Sequence, residues 1–562
     1  MVAGVTMNGV STSGVNISGV EMNGASTSAG RTAPIAATIP ETTSTSVTDA
    51  SSFFSSYNNR RARCILDASG LHDIISASME SENKLAQDQI SRRDLLRTSA
   101  GLAPVAVAGA AQNKPSSKDR PNILVIIADQ VRWDAIGAHG RNPMNLTPNL
   151  DAMGHRGTLY RNMFTNQPVC SPSRSALFTG QYPARSGVWR NAGTGVGLPP
   201  GATTIATECR AAGYSANYIG KWHLADGPTG PVSPDRRGGF LNLWQAANML
   251  ELTSHPYEGD IWDSDGQPIH FAHEFRADFL TGLAKRFLSA VSRTSPFLLV
   301  VSYLEPHQQN DLKRMVAPHG YAERFRNPFV PEDLRPFSGD WQQQLPDYYG
   351  CIRRIDECIG DIRQSLVQNE LDQNTIVAFV SDHGCHFMTR NTEYKRSGHD
   401  ASLHVPLILD GPGFRTGQNV QHLVGMVDFA PTLLEAAGVP IPTSMQGKST
   451  LPLASGKPMD WRNEVFFQMS EYWIGRGLRT PQWTFVSVAP RGDDKFKPAP
   501  HAASYSSFQL YDNEADPHQL VNLAGRQEVE SVEPELRERL LSRMEEAGDA
   551  PAELRPCPFP YS

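Results

Sequence analysis

The chain reads as an α/β protein: a large mixed, mostly parallel sheet sandwiched by helices, then a smaller C-terminal α+β domain containing an antiparallel sheet. Three observations lead there. Residues 122–128 (Asn-Ile-Leu-Val-Ile-Ile-Ala) form an unbroken apolar run rich in β-branched side chains, as a strand buried on both faces requires. Similar runs recur at 216–219, 297–304, 375–381 and 405–409, with helix-period stretches between them. After about Leu453 the pattern changes to short strands separated by tight turns.

In chain order, residues 1–78 come first. Residues 1–60 are rich in Ser, Thr and Gly, with glycines at 4, 9, 14, 19 and 24 and no buried face to pair them. They are expected to be disordered, or to follow from a start codon placed too early. Met79 would open a leader of conventional size. Within it, Ser91-Arg92-Arg93-Asp94-Leu95-Leu96 precedes a modest apolar run at 102–111, so 79–112 reads as a twin-arginine export signal. The competing reading is a surface helix followed by an Ala-rich linker. Residues 113–120 form a polar linker, 121–453 the catalytic α/β domain and 454–562 the small C-terminal domain.

The clearest helix spans about 346–369, where Ile352, Ile355, Ile359, Ile362 and Leu366 make one stripe. A second spans about 428–437 and is ended by Gly438. Short strands are expected at 465–469, 474–479 and 483–488, and a terminal amphipathic helix at 534–547. Strands that alternate with helices place ligands near the carboxyl ends of the strands.

At 562 residues the chain can bury a large core. Its formal net charge of -7 and the lack of a dense Lys/Arg block argue against a nucleic-acid partner. No apolar run is long enough for a stable membrane span. The seven cysteines contain no CxxC pair, so no disulfide framework is indicated; Cys351 and Cys358 are spaced to share a helix face.

Chemistry-bearing residues cluster at predicted strand ends. Cys170, Pro172 and Arg174 precede a short helix-compatible run, which would put Cys170 at a helix N-terminus where free N–H groups favour an anion. Arg174, four positions on, can return to the same end. Taken alone, this spacing reads more readily as a buried structural cysteine near a turn. Asp129 follows the first strand and Asp382-His383-Gly384 follows another. Acids at two such exits can hold a hard divalent cation, with Gln130 adding a carbonyl oxygen, or can simply cap turns. Gly220-Lys221-Trp222-His223-Leu224 offers a cation for an ester oxygen and an imidazole for proton transfer, or a packed strand edge. His307 follows Glu305-Pro306; Tyr394-Lys395-Arg396 and His399 precede the strand at 405–409. Arg396 reads equally well as part of an exposed basic patch.

Cys170-Ser171-Pro172-Ser173-Arg174 resembles the signature of the formylglycine-dependent sulfatases, within the alkaline-phosphatase-like superfamily. The resemblance spans roughly 121–524 and includes Gly220-Lys221-Trp222-His223, Asp382-His383-Gly384 and the C-terminal turn at 510–517 with Asn522-Leu523-Ala524. It implies that Cys170 is oxidised to formylglycine by a formylglycine-generating or sulfatase-maturating enzyme. It implies one divalent cation held by Asp129, Gln130, Asp382 and His383 beside residue 170. Calcium is expected, with magnesium or manganese as alternatives because imidazole tolerates softer ions. Lys221 and Lys395 would bind sulfate, with Arg396 and His399 in reach of substrate. His307 would protonate the leaving alcohol, Arg174 would hold the hydrated aldehyde and His223 would assist its turnover.

The implied activity is that of a sulfuric ester hydrolase acting on a sulfated carbohydrate, a polysaccharide or its oligosaccharides, in the periplasm or outside the cell after passage through the twin-arginine machinery. Two departures matter. Many sulfatases have a second acid where this chain has Gln130, and Asn where it has His383. Those pairs keep open a phosphonate monoester or phosphodiester hydrolase of the same superfamily. Gln308-Gln309-Asn310 after His307 also departs from the family's prolines and weakens analogy of substrate. A non-catalytic protein that binds sulfated glycans is the alternative from a different class.

Overall fold

The computed structural model describes residues 120–559, apart from 194, 228 and 492–495. The expected low-complexity region, the export signal and residues 113–119 of the linker lie outside the described residues. Those that are described fall in one compact unit. Its larger sheet has eleven strands: β1 (Asn122–Asp129), β2 (Thr158–Phe164), β3 (Ser215–Lys221), β4 (Trp244–Ala247), β5 (Ser254–His255), β6 (Glu258–Trp262), β7 (Pro268–Ala272), β8 (Phe297–Pro306), β9 (Thr375–Ser381), β10 (His404–Asp410) and β11 (Gln418–Gly425). Their spatial order is β11-β2-β10-β9-β1-β8-β3-β4-β6-β5, with β7 paired to β6.

The central strands β9, β1, β8, β3 and β4 are mutually parallel. Strand β1 shows why its sequence reads as it does. Ile123, Val125 and Ile127 enter one apolar cluster, and Leu124, Ile126 and Ala128 enter another on the opposite face. The first cluster takes in helices Cys170–Thr179, Ile205–Ala211 and Phe429–Ala436; the second takes in Pro148–Arg156, Arg276–Ala290 and Trp341–Gln368. Period-2 alternation between two buried faces yields a continuous apolar run.

The sheet is mixed, as expected: the strand at 405–409, β10, runs antiparallel to both β9 and β2. Beyond β4 the ladders are also antiparallel. The long helix begins at Trp341 rather than Pro346, and Pro346 sits inside it. Strands β2 and β11 carry polar residues such as Arg161, Asn162, Gln418 and Gln421 and give no apolar run.

The second sheet has the order β12 (Val465–Met469), β13 (Gly475–Arg479), β14 (Trp483–Val488), β15 (Ser504–Asp512), β16 (Glu553–Arg555). It is antiparallel except for β15 and β16, which pair in parallel. Helix Val532–Ala547 sends Leu536, Leu540 and Met544 into the same cluster that covers one face of the large sheet, as do Leu478, Phe485 and Leu510. One continuous core therefore ties the small sheet to the large one. The six described cysteines are all free thiols, Cys351 and Cys358 included. Among the described residues, no helix is long and apolar enough to cross a membrane.

Gly220, the penultimate residue of β3, has φ 100°. A Cβ there would press into the Ser302 carbonyl of the neighbouring strand β8. Only glycine satisfies both demands. Gly220→Ala should destabilise the fold by about 3 kcal/mol through backbone strain and overpacking. A urea-unfolding midpoint equal to that of the wild type would contradict this account of the β3–β8 contact.

Candidate active site

Asp129 ends β1 and Asp382 follows β9, its parallel neighbour, so the two carboxylates emerge side by side. Both are fully buried. Helix Cys170–Thr179 brings Cys170 at its first turn against them, and Arg174 one turn later. The Arg174 guanidinium donates to Asp382 Oδ2 at 2.9 Å, to Asp129 Oδ2 at 3.2 Å, to Ser302 Oγ at 2.8 Å and to the Lys221 carbonyl at 2.9 Å. It thus clamps the ends of β1, β9 and β3 to the helix that carries the cysteine.

Two lysines converge on the thiol. Lys395 Nζ is 2.9 Å from Cys170 Sγ and Lys221 Nζ is 3.8 Å from it. Lys221 also pairs with Asp129 Oδ2 at 2.8 Å and with Glu251 at 3.1 Å. His383 Nδ1 donates to the Gly384 carbonyl at 2.9 Å, and its Nε2 lies 3.3 Å from Cys170 Sγ and 3.3 Å from Asp129 Oδ1. Burial alone would push the Cys170 thiol up, but Lys221, Lys395 and His383 outweigh it and hold the group well below its ordinary range. For Asp129, burial and Cys170 are likewise overcome, by Lys221, His307 and His383, so its carboxyl stays low. Burial and the adjacent Asp129 push Asp382 the other way, against His383 and Arg174. Two carboxylates at one dry site cannot both ionise freely.

That donor set fits a divalent cation. Among the described residues, Asp129, Cys170, Asp382 and His383 place ligand atoms within 4.8 Å of one another. Gln130, in a left-handed conformation with φ 77°, anchors its side-chain amide nitrogen on Cys385 Sγ at 3.3 Å. Its Oε1 is buried and has no protein partner. An orphaned carbonyl oxygen on the residue after Asp129 is what a hard ion would satisfy.

His307 sits just past β8. Its Nδ1 donates to the Gln308 carbonyl at 2.7 Å, and its Nε2 meets the Tyr394 hydroxyl at 3.0 Å. The His307 and His383 rings are 6.5 Å apart. His223, at φ 59°, turns its carbonyl to the Ser171 hydroxyl at 2.6 Å and its Nδ1 toward Glu251 Oε1 at 3.7 Å.

Arg396 and His399 are placed differently from the rest. The Arg396 guanidinium pairs with Glu393 at 2.8 Å and Glu471 at 3.5 Å and not with the thiol cluster. His399 Nε2 bonds the Tyr511 hydroxyl at 3.0 Å and lines a separate cavity of about 340 Å³ with Arg390 and Arg479. Two residues were given no role by the sequence. Glu251, on the short helix Leu250–Thr253, touches both Lys221 and His223, yet no motif marks it. Tyr394 adjoins Lys395, and that adjacency was the one signal for it.

The sequence profile of the Sulfatase family matches residues 121–439, more than half of the chain. That of the C-terminal domain of N-sulphoglucosamine sulphohydrolase matches residues 392–546. An ulvan-active sulfatase of Formosa agariphila is 29% identical over 460 residues, covering 78% of this chain and 83% of that one. An N-acetylglucosamine-6-O-sulfatase of Bacteroides thetaiotaomicron is 24% identical over 530 residues, covering 78% and 89%. Among solved structures, the yidJ protein of Bacteroides fragilis superimposes with a TM-score of 0.67 at 27% identity, covering 78% of this chain and 98% of its own. With the profile running through β1 to the helix after β11, the chain belongs to the sulfatase family of the alkaline-phosphatase-like superfamily and is a sulfuric ester hydrolase.

Proposed function

We propose that the chain removes sulfate from a carbohydrate, a sulfated polysaccharide or its oligosaccharides, with residue 170 as formylglycine and a divalent cation at Asp129, Gln130, Asp382 and His383. The observation that carries this reading is the convergence of Lys395, Lys221 and His383 on Cys170 at a helix N-terminus. The carbohydrate rests on the relatives, two of which are named for ulvan and for N-acetylglucosamine. Export to the periplasm or beyond rests on Arg92-Arg93 and the apolar run after them.

With residue 170 oxidised, the hydrated aldehyde held beside Lys221, Lys395 and His383 would supply two geminal hydroxyls, one as nucleophile and one able to regenerate the aldehyde. A cation held by Asp129, Gln130, Asp382 and His383, calcium on this reading, would supply Lewis acidity. The chain's own groups do the rest. Burial would lower Lys221 and Lys395, but Asp129 lifts both, joined by Glu251 at Lys221, through charges that remain once formylglycine replaces the Cys170 thiolate. The two lysine charges offset the charge that builds on the ester oxygens. His307, fixed by the Gln308 carbonyl, presents Nε2 as the position from which a proton reaches the leaving alcohol. His223 takes the proton in the release step, and Glu251 holds Lys221 and faces His223.

Periplasmic or culture-medium protein should be assayed on an aryl sulfate and on the matched aryl phosphonate monoester. Faster sulfate release, lost at least about 100-fold on chelation and restored by calcium, is the expected result. Preference for the phosphonate would replace this reading with that of a phosphonate hydrolase. Restoration by manganese or magnesium but not calcium would correct the ion alone.

Glu251 is buried, and burial would raise its carboxyl; Lys221, His223 and His307 prevail and hold it down to about 2. A depressed acid stabilises the fold above its unfolded value and ceases to do so as pH falls through its folded value. Glu251→Gln should therefore cost on the order of 3 kcal/mol at neutral pH. The deficit should shrink as pH drops from about 4.5 toward about 2. Equal unfolding midpoints for the two proteins at pH 7 would show that the Lys221–Glu251 pair contributes nothing.

A further inference from the structure

The turn between β12 and β13 is brought over the same end of the large sheet as Cys170. Gln468 of β12 donates its backbone N–H to the Asn166 carbonyl at 2.8 Å, four residues before the cysteine. Its side chain accepts from the Ala184 N–H at 3.1 Å. The turn that follows carries Ser470 and Glu471. Glu471 Oε1 faces Arg396, the residue after Lys395, at 3.5 Å. Three polar atoms here are buried without a protein partner: Ser470 Oγ, Glu471 Oε2 and Arg396 Nε. Ser470 is only 1% exposed. Glu471 Oε2 and Arg396 Nε belong to one carboxylate–guanidinium pair, whereas Ser470 Oγ has no such complement, and burying such an atom unpaired costs about 1–3 kcal/mol. Tyr472, the next residue in the chain after Glu471, lines an open groove of about 580 Å³ with Asn391 and Thr392.

We propose that Glu471 and Ser470, with Arg396 holding the carboxylate in place, form the part of the substrate site that reads the sugar hydroxyl next to the sulfate ester. The inference rests on the carbohydrate-sulfatase reading above. Its chemistry is specific. A carboxylate accepts hydrogen bonds and donates none, so a ligand group that meets Glu471 Oε2 must be an O–H or N–H donor. Ser470 Oγ donates or accepts. A second sulfate or a uronate carboxylate at that place would meet Glu471 as a like charge, which is strongly disfavoured where water is scarce. The substrate class is therefore a pyranoside with one sulfate and a free neighbouring hydroxyl or amide, rather than one with a second anionic group at that position. Arg396 reaches the substrate through Glu471 on this account and is a positioning residue. The field at its guanidinium agrees: burial lowers it, but Glu471, Glu393, Tyr394 and Cys170 carry it above the ordinary range.

The test measures binding, not turnover, on full-length Cys170→Ser protein. Calorimetric titrations would use monosulfated methyl pyranosides covering each ring position, and the same sugars sulfated at two neighbouring positions. The expected tightest ligand is a monosulfated sugar, with its disulfated counterpart at least about tenfold weaker. Adding Glu471→Gln should collapse that ratio, and Ser470→Ala should weaken the monosulfated ligand alone. Equal affinity for the two classes, or a ratio unmoved by Glu471→Gln in a protein that still binds, overturns this inference and leaves the sulfatase reading intact. If no member of the panel binds, the carbohydrate reading falls and this inference falls with it.

Discussion

Two carboxylates buried side by side set the terms for everything around position 170. Asp129 and Asp382 leave adjacent parallel strands with no exposure to water. Burying an ion costs several kcal/mol unless it is paired and hydrogen-bonded. Arg174 meets both acids, Lys221 meets Asp129, and His383 Nε2 lies 3.3 Å from Asp129. Arg174 also lies one turn along the helix that Cys170 opens. The pairing that neutralises the acids therefore aims the helix N-terminus, and with it the reactive residue, at the strand ends. Structural and chemical demands are met here by the same side chains.

The small C-terminal sheet acts on this arrangement from outside. It shares one apolar cluster with the large sheet, so its strands are held against the layer that carries Cys170. Asp400, at the start of the short helix before β10, pairs with Arg479 at the end of β13. Gln519 donates to Asp400 and to Thr484, which ties the C-terminal turn to the same corner. The loop with Tyr394, Lys395 and Arg396 runs between these anchors and β9. Chemistry on the large sheet and recognition at its rim are in this way separable by residue, although they share one core.

What could be read in the sequence follows from burial and locality. The central strands were legible because two buried faces leave an unbroken apolar run, as in β1, β8 and β9. The direction of β10 was not, since period-2 alternation is the same for either orientation. Strands β2 and β11 were missed because Arg161, Asn162 and Gln421 interrupt the apolar pattern. At the site, Cys170, Arg174, Asp129, Lys221 and His383 sit in short motifs at strand or helix ends, and local rules place them. Glu251 reaches Lys221 only through the packing of β4 and the helix after it, thirty residues on in the chain. Arg396 and His399 show the converse. Nearness to Lys395 in sequence did not fix where their side chains point, and Glu393, Glu471 and Tyr511 took them.

The account turns on the chemical state of residue 170. Mass analysis of the proteolytic fragment that spans it, from enzyme whose specific activity has been measured, tests that state directly. The account predicts an aldehyde in place of the thiol, in a fraction that rises and falls with activity across preparations. Full activity from protein that retains an unmodified cysteine would contradict it.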